Sequence, residues 1–313
     1  MAREYAVRGV RIDPERIVLT ASSSESYGFL FKLLCDPGDT VLVPTPSYPL
    51  FAHLAALEGV RAATYPLDAA AGWQPDVSDL PAASGVRAAI LVHPNNPTGS
   101  WVEADAAEKL AACSGSARIP LIVDEVFLDF PLSATSGSAG TFVSRFAGLT
   151  FTLGGLSKSR GLPQLKLSWI VVSGPESDVA PALESLAFIA DTYLSVGTPV
   201  QDALPELFVR AAPVRDAILA RCRENLALAL RMVGAYPGVE LLEPGGGWSA
   251  VLRFPRVTTE EALVMELLER HGVAVYPGYF FDFATDGYLV ISLLAAPGEF
   301  SVGLKRTLDA IPL

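Results

Sequence analysis

The strongest constraint on this chain is a rhythm: short, nearly unbroken apolar runs rich in β-branched residues, separated by stretches long enough for a helix. The runs are Ile17 to Thr20, Thr40 to Val43, Ala88 to Val92, Leu121 to Asp124, Thr150 to Leu153 and Ser168 to Val172, each bounded by Gly, Pro, Asn or a polar turn. A strand with one wet face alternates polar and apolar residues, whereas a run that is apolar on both faces must be covered on both. The pattern therefore predicts an α/β fold with a mostly parallel sheet between helical layers. Tyr27, Leu30, Phe31 and Leu34 recur at i, i+3, i+4 and i+7, which marks a helix. Ser22, Ser23 and Ser24 precede that stripe, where N-caps belong.

Further along, a helix is predicted from about Ser177, with Val179, Leu183, Leu186 and Ala190 on one face, and a longer one from Pro213 to Val233. After Tyr236-Pro237-Gly238 the pattern changes. Strand-like pieces (Val239 to Leu242, Trp248 to Phe254, Ala274 to Tyr276, Tyr288 to Leu293) mix with helices at Glu260 to His271 and Glu299 to Ile311. The expected division is a large domain over 1–210, then a connecting helix and a small α+β C-terminal domain over 211–313. The Ala/Gly/Ser-rich patch from Ser133 to Gly140 reads as a surface loop.

Composition narrows the function classes. Half of the 313 residues are hydrophobic and 18% are charged, which excludes a disordered chain. Each apolar run is interrupted before the ~18 residues a membrane span needs. The net charge of −11 is the wrong sign for nucleic acid or an anionic membrane, so neither is an expected partner. Cys35, Cys113 and Cys222 form no CxxC pair and no disulfide framework, and a reducing cytoplasm is the expected compartment. His53, His93 and His271 are scattered, with no HExxH, so no metal site is predicted. The polar start, MAREYAVRGVRIDPER, lacks the apolar stretch of a secretory signal.

Four regions can carry chemistry. Thr20 to Ser26 (TASSSES) turns from strand to helix and is rich in hydroxyls; such a turn can bind an anion or simply cap the helix. In Val43 to Phe51 (VPTPSYPLF) three prolines stiffen the chain around Tyr48, which can stack on a flat ligand or merely pack. The turn in Val92 to Gly99 (VHPNNPTG) is followed by the strand of LIVDEVFLDF, which delivers Asp124 at its carboxyl end, where α/β sheets bind ligands. In TLGGLSKSRGLPQLKLSW, Lys158 follows a glycine pair in an apolar neighbourhood. It is either a snorkelling surface residue or an amine tuned by burial to act as nucleophile and base.

Taken in this order, the hydroxyl loop, PSYP, NNPTG, DEVF and GLSK resemble the class I/II aminotransferases, pyridoxal phosphate enzymes of fold type I. The resemblance extends through PGYFF (Pro277 to Phe281) and YLVISLL (Tyr288 to Leu294). It implies that the large domain binds pyridoxal 5'-phosphate and that amino acid and 2-oxo acid substrates exchange an amino group in a homodimer. It also implies residue roles. Lys158, Asp124 and Tyr48 would be catalytic: Lys158 would hold the cofactor as an imine and, once displaced, shuttle a proton. Asp124 would keep the ring nitrogen protonated, and Tyr48 would stack on the ring face. Asn96 would donate to the ring's O3′. Ser22, Ser23 and Ser24, with Lys166, would hold the phosphate. A pyridoxal phosphate lyase or decarboxylase on the same fold, or a cofactor-binding relative with little activity, are the alternatives.

The chain departs from the family pattern at five points. Phe127 stands where a tyrosine usually bonds O3′, Gly155 where a Ser or Thr usually binds phosphate, and Lys166 where an arginine usually clamps it. The family's N-terminal arm is absent, so the chain is expected to be either short or a fragment. Val290 stands where an arginine usually grips the substrate carboxylate; Arg160 and Arg253 are the nearest substitutes by sequence.

Overall fold

The computed structural model describes residues 1–76, 85–112, 119–133 and 140–312. Eight strands form one sheet: β1 (Ile17–Thr20), β2 (Thr40–Thr45), β3 (Arg61–Asp68), β4 (Gln74–Pro75), β5 (Val86–Val92), β6 (Leu121–Asp124), β7 (Thr150–Gly155) and β8 (Ser168–Ser173). Four more form a second: β9 (Glu240–Leu242), β10 (Ser249–Arg253), β11 (Tyr276–Pro277) and β12 (Tyr288–Ser292). The helices are α1 (Ala2–Val7), α2 (Ser23–Leu34), α3 (Phe51–Leu57), α4 (Ala104–Ala112), α5 (Leu156–Ser159), α6 (Glu176–Tyr193), α7 (Thr198–Arg210), α8 (Ala212–Val233), α9 (Glu260–His271) and α10 (Pro297–Ala310).

The first sheet runs β1-β8-β7-β6-β5-β2-β3-β4. Its centre is parallel from β7 across to β3, and β8 is antiparallel to both of its neighbours. The apolar runs behave as strands buried on both faces should. Val41, Val43, Ile90, Val92, Ile122 and Phe151 pack on one side under α2, α3 and α6. The residues between them, Leu42, Ala89, Leu91, Leu121 and Val123, pack on the other side with α4. The second sheet, β11-β12-β10-β9, is wholly antiparallel and leans one face on α8, α9 and α10 through Ala250, Leu252, Leu289 and Ile291.

Four elements differ from expectation for local reasons. β3 buries only Tyr65 and Leu67 and carries Pro66, so it offers no apolar run to read. α1 is anchored through a single buried residue, Tyr5, whose hydroxyl accepts a hydrogen bond from Trp169 Nε1 at 3.0 Å. α7 has Pro205 inside it, a residue that argues against a helix interior. The strand expected at Ala274 to Tyr276 forms instead at Tyr276–Pro277, the stretch that pairs with β12. Cys113 and most of the loop expected from Ser133 to Gly140 lie outside the described residues.

Candidate active site

Strand register brings the predicted segments to one edge of the first sheet. Thr20, the last residue of β1, pairs with Ser168, the first of β8, and Ser168 pairs with Gly155, the last of β7. Neighbouring strands lie roughly 5 Å apart, so the hydroxyl-rich turn, the approach to Lys166 and the start of the Lys158 helix are adjacent. One row along, Val92 pairs with Asp124 and Asp124 with Leu153. The carboxyl ends of β5, β6 and β7 therefore present NNPTG, Asp124 and Lys158 side by side, the position where open α/β sheets bind ligands.

Asp124 is the electrostatic centre of this edge. Its Oδ1 accepts a hydrogen bond from the backbone N–H of Val126 and its Oδ2 one from the Tyr27 hydroxyl, both at 3.0 Å. Burial pushes its pKa above the ordinary carboxylate range, while these two donors and the charge of Lys158 pull it back. Lys158 lies on the single turn of α5 and makes no ion pair among the described residues. Its Nζ instead sits 5.1 Å from the ring centre of Trp248 and 5.7 Å from that of Phe127. Burial lowers its pKa and the Asp124 charge opposes the shift, so the neutral, nucleophilic amine is more accessible than in an exposed lysine. Tyr48 is 37% exposed, stands edge-on to Phe51, and feels the Asp124 charge, which together with burial raises its pKa.

The phosphate-binding expectation divides among the serines. Ser22 is the N-cap of α2, its Oγ accepting from Glu25 N–H at 3.1 Å. The hydroxyls of Ser23 and Ser24 make no hydrogen bond among the described residues, and their N–H groups open a helix, where no intrahelical acceptor exists. Lys166 is exposed and unpaired among the described residues, in a left-handed conformation (φ 49°) just before β8. Within NNPTG, Asn95 is the asparagine locked into the fold, bonded to Ser47, Thr98 and the Pro46 carbonyl. Asn96 is half-buried and its side chain is uncommitted among the described residues. Gly99 is required by packing: a Cβ there would lie 2.4 Å from Pro244, in the segment leading to Trp248.

Chain comparison agrees with this geometry. A family model described as aminotransferase class I and II matches residues 3–299. The chain belongs to this family. Among its relatives is an alanine aminotransferase of Mycobacterium bovis, 26% identical over a match of 308 residues that covers 95% of this chain and 71% of that one. Another, an arginine–pyruvate transaminase of Pseudomonas aeruginosa, is 26% identical over 95% of this chain and 75% of its own. The solved structure of an alanine aminotransferase from Pyrococcus furiosus superposes with a TM-score of 0.86 at 23% identity, covering 98% of this chain and 79% of that one, and shares its fold.

As an aminotransferase the chain transfers an amino group, and its departures from the family pattern have visible surroundings. At Gly155 a Cβ would sit 2.4 Å from Ser168 Oγ, so a hydroxyl-bearing side chain there would require Ser168 to shift. Phe127 is buried edge-on to Trp248, with ring centres 5.4 Å apart. Val290, 2% exposed, packs with Val251, Phe281 and Phe283. Neither substitute arginine is free. Arg160 is buried between Glu4 (2.6 Å) and Asp129 (3.2 Å), and Arg253 pairs with Glu240. The described histidines are structural or peripheral; no cluster of three metal-binding side chains occurs among the described residues. Sequence reasoning missed Tyr27 and Trp248. A tyrosine in an otherwise apolar stripe needs a partner for its hydroxyl, and that was the available signal for Tyr27.

Proposed function

We propose that the chain is a pyridoxal phosphate-dependent aminotransferase that moves an amino group between an amino acid and a 2-oxo acid. The observation that carries this is the placement of Asp124 at the end of β6 and Lys158 on the turn that follows neighbouring β7, a buried carboxylate within reach of the charge of an amine that makes no ion pair among the described residues. The donor set fits the cofactor. Asp124 suits a protonated ring nitrogen, Lys158 an aldehyde carbon, Asn96 a phenolic oxygen, and the open N–H groups and hydroxyls of Ser23 and Ser24 a phosphate. Ser22 contributes chiefly by holding that helix start in place.

When bound, pyridoxal phosphate supplies the carbonyl that takes up the amino group and a ring that withdraws electrons from the substrate's Cα. The protein does the rest. Lys158, its neutral amine favoured by partial burial, would hold the cofactor's carbonyl carbon and serve as the base that carries the proton from the substrate's Cα. Asp124 would hold a proton on the ring nitrogen. Tyr48, stiffened by its prolines, would stack against the cofactor's ring, and Phe127 with Trp248 restricts water around Lys158 Nζ. Lys166 adds positive charge near the phosphate. In this proposal the enzyme is a cytoplasmic homodimer, residues 1–210 carry the cofactor, and 211–313 form the connecting helix and small domain. The relatives' names make alanine, arginine and pyruvate the reference compounds of a substrate screen, in which Val290, standing where an arginine usually grips the carboxylate, predicts slow reaction of alanine.

The test is uptake. Purified protein should develop visible absorbance with pyridoxal phosphate, and borohydride reduction followed by peptide mass analysis should find the cofactor on Lys158. Lys158→Ala should abolish turnover while cofactor still binds non-covalently. Protein that stays colourless with added cofactor would overturn the proposal.

A further inference from the structure

Tyr27 has no part in the roles assigned so far. Its ring is fully enclosed on α2, 6.0 Å from Phe31 and 5.3 Å edge-on from Phe51, so the hydroxyl has little freedom. That hydroxyl ends on Asp124 Oδ2 at 3.0 Å, while Val126 N–H holds Oδ1 at 3.0 Å. One donor on each oxygen clamps the carboxylate plane, because rotating the group breaks both bonds. Each oxygen keeps a further lone pair for a third donor. Packing alone would be met by phenylalanine, and a buried hydroxyl costs free energy unless it is bonded.

We infer that Tyr27 is a positioning residue which, through its hydroxyl, fixes the plane of the Asp124 carboxylate and keeps it ionised toward the nitrogen of a bound pyridine ring. This rests on the proposed cofactor. The groups facing Asp124 are Tyr27 from α2, Lys158 from α5, Tyr48 from the turn after β2, and the neighbouring Glu125. Only Tyr27 and the Val126 amide donate hydrogen bonds to it among the described residues. A donor on a carboxylate favours its anion over its acid, so it biases the shared proton toward the ring nitrogen.

The experiment uses wild-type and Tyr27→Phe holoenzymes loaded with pyridoxal phosphate labelled with ¹⁵N in the ring, at neutral pH. The wild-type resonance should lie in the protonated range and move toward the unprotonated value in Tyr27→Phe. The variant's kcat should fall roughly 10- to 100-fold with KM nearly unchanged, the range expected for one hydrogen bond to a charged group. Its melting temperature should change little. With 4-aminophenylalanine at position 27, a weaker donor of the same shape, both readouts should fall between the two; this arm decides the matter if the phenylalanine variant does not fold. An unchanged ¹⁵N shift and kcat in a folded variant would overturn the inference and leave the cofactor proposal standing. A wild-type chain that takes up no pyridoxal phosphate would overturn both.

Discussion

Asp124 and Lys158 are each pushed by burial toward the neutral form and pulled back by the other's charge. A group balanced in this way changes protonation at small cost, which acid–base chemistry requires. Asp124→Asn keeps the size and removes the charge; kcat should fall by orders of magnitude while the melting temperature moves little, checked by steady-state kinetics beside calorimetry. Wild-type rates in that variant would remove Asp124 from its assigned role. Val290 bears on substrate choice. Arginine at such a position would offer a carboxylate two charge-assisted hydrogen bonds, and valine among phenylalanines offers none. With Arg160 and Arg253 both paired elsewhere, aspartate, alanine and glutamate should react slowly in a single-turnover screen of the holoenzyme. Submillimolar binding of any of the three would reveal a carboxylate contact not supplied by these side chains.

At the scale of the element, the start of α2 divides its work by position. Ser22→Ala removes the cap on Glu25 N–H and should cost about 1 kcal/mol of stability. Ser23→Ala and Ser24→Ala touch uncommitted hydroxyls, so they should weaken cofactor binding with less effect on unfolding. Lys166→Ala should raise the cofactor Kd more than either at low salt, since charge-assisted hydrogen bonds exceed neutral ones. Because Lys166 is exposed, the gap should narrow as salt is raised in a titration followed by absorbance. The legibility of the sequence follows the same logic. Strands buried on both faces, such as β5 and β6, announce themselves by composition, and helices α2 and α6 by apolar spacing. Asp124 could be picked out because a charge closing an apolar run is costly unless it is used, whereas Lys158 was ambiguous by itself and stood out only through the order of the motifs around it. β3, half-wet and holding a proline, carries no such signal, nor does α1, whose one buried residue is Tyr5 and whose Glu4 pairs with Arg160 far along the chain. Tyr27 was visible only as one apolar position in a stripe; its bond to Asp124, 97 residues away, depends on sheet register, which no local pattern encodes.

For the molecule as a whole, pH dependence of stability should be governed in part by a clamp behind the site. Glu125 accepts hydrogen bonds from the Thr141 hydroxyl (2.7 Å) and the Phe142 N–H (2.6 Å), and His93 reaches the Gly140 carbonyl through Nε2 at 3.1 Å while its Nδ1 accepts from Val102 N–H. Residues 140–142 are thus held between two buried titratable groups whose shifts run in opposite directions. Burial raises Glu125 from its ordinary 4.5 to about 7 and lowers His93 from 6.5 to about 3. The Glu125 contribution to stability is complete below pH 4.5 and is lost as pH rises through about 7, because ionising the buried carboxyl opposes folding. The His93 contribution is complete above pH 6.5 and is lost as pH falls toward about 3, because the fold excludes the imidazolium. Between 4.5 and 6.5 the two slopes, each about 1.4 kcal/mol per pH unit, nearly cancel. Glu125→Gln removes one slope and keeps the shape. In urea titrations the variant's stability relative to wild type should therefore climb by roughly 2–3 kcal/mol across that window, leaving the His93 slope exposed. A wild-type-minus-variant difference that stays flat with pH would show that Glu125 ionises in the fold as readily as in water.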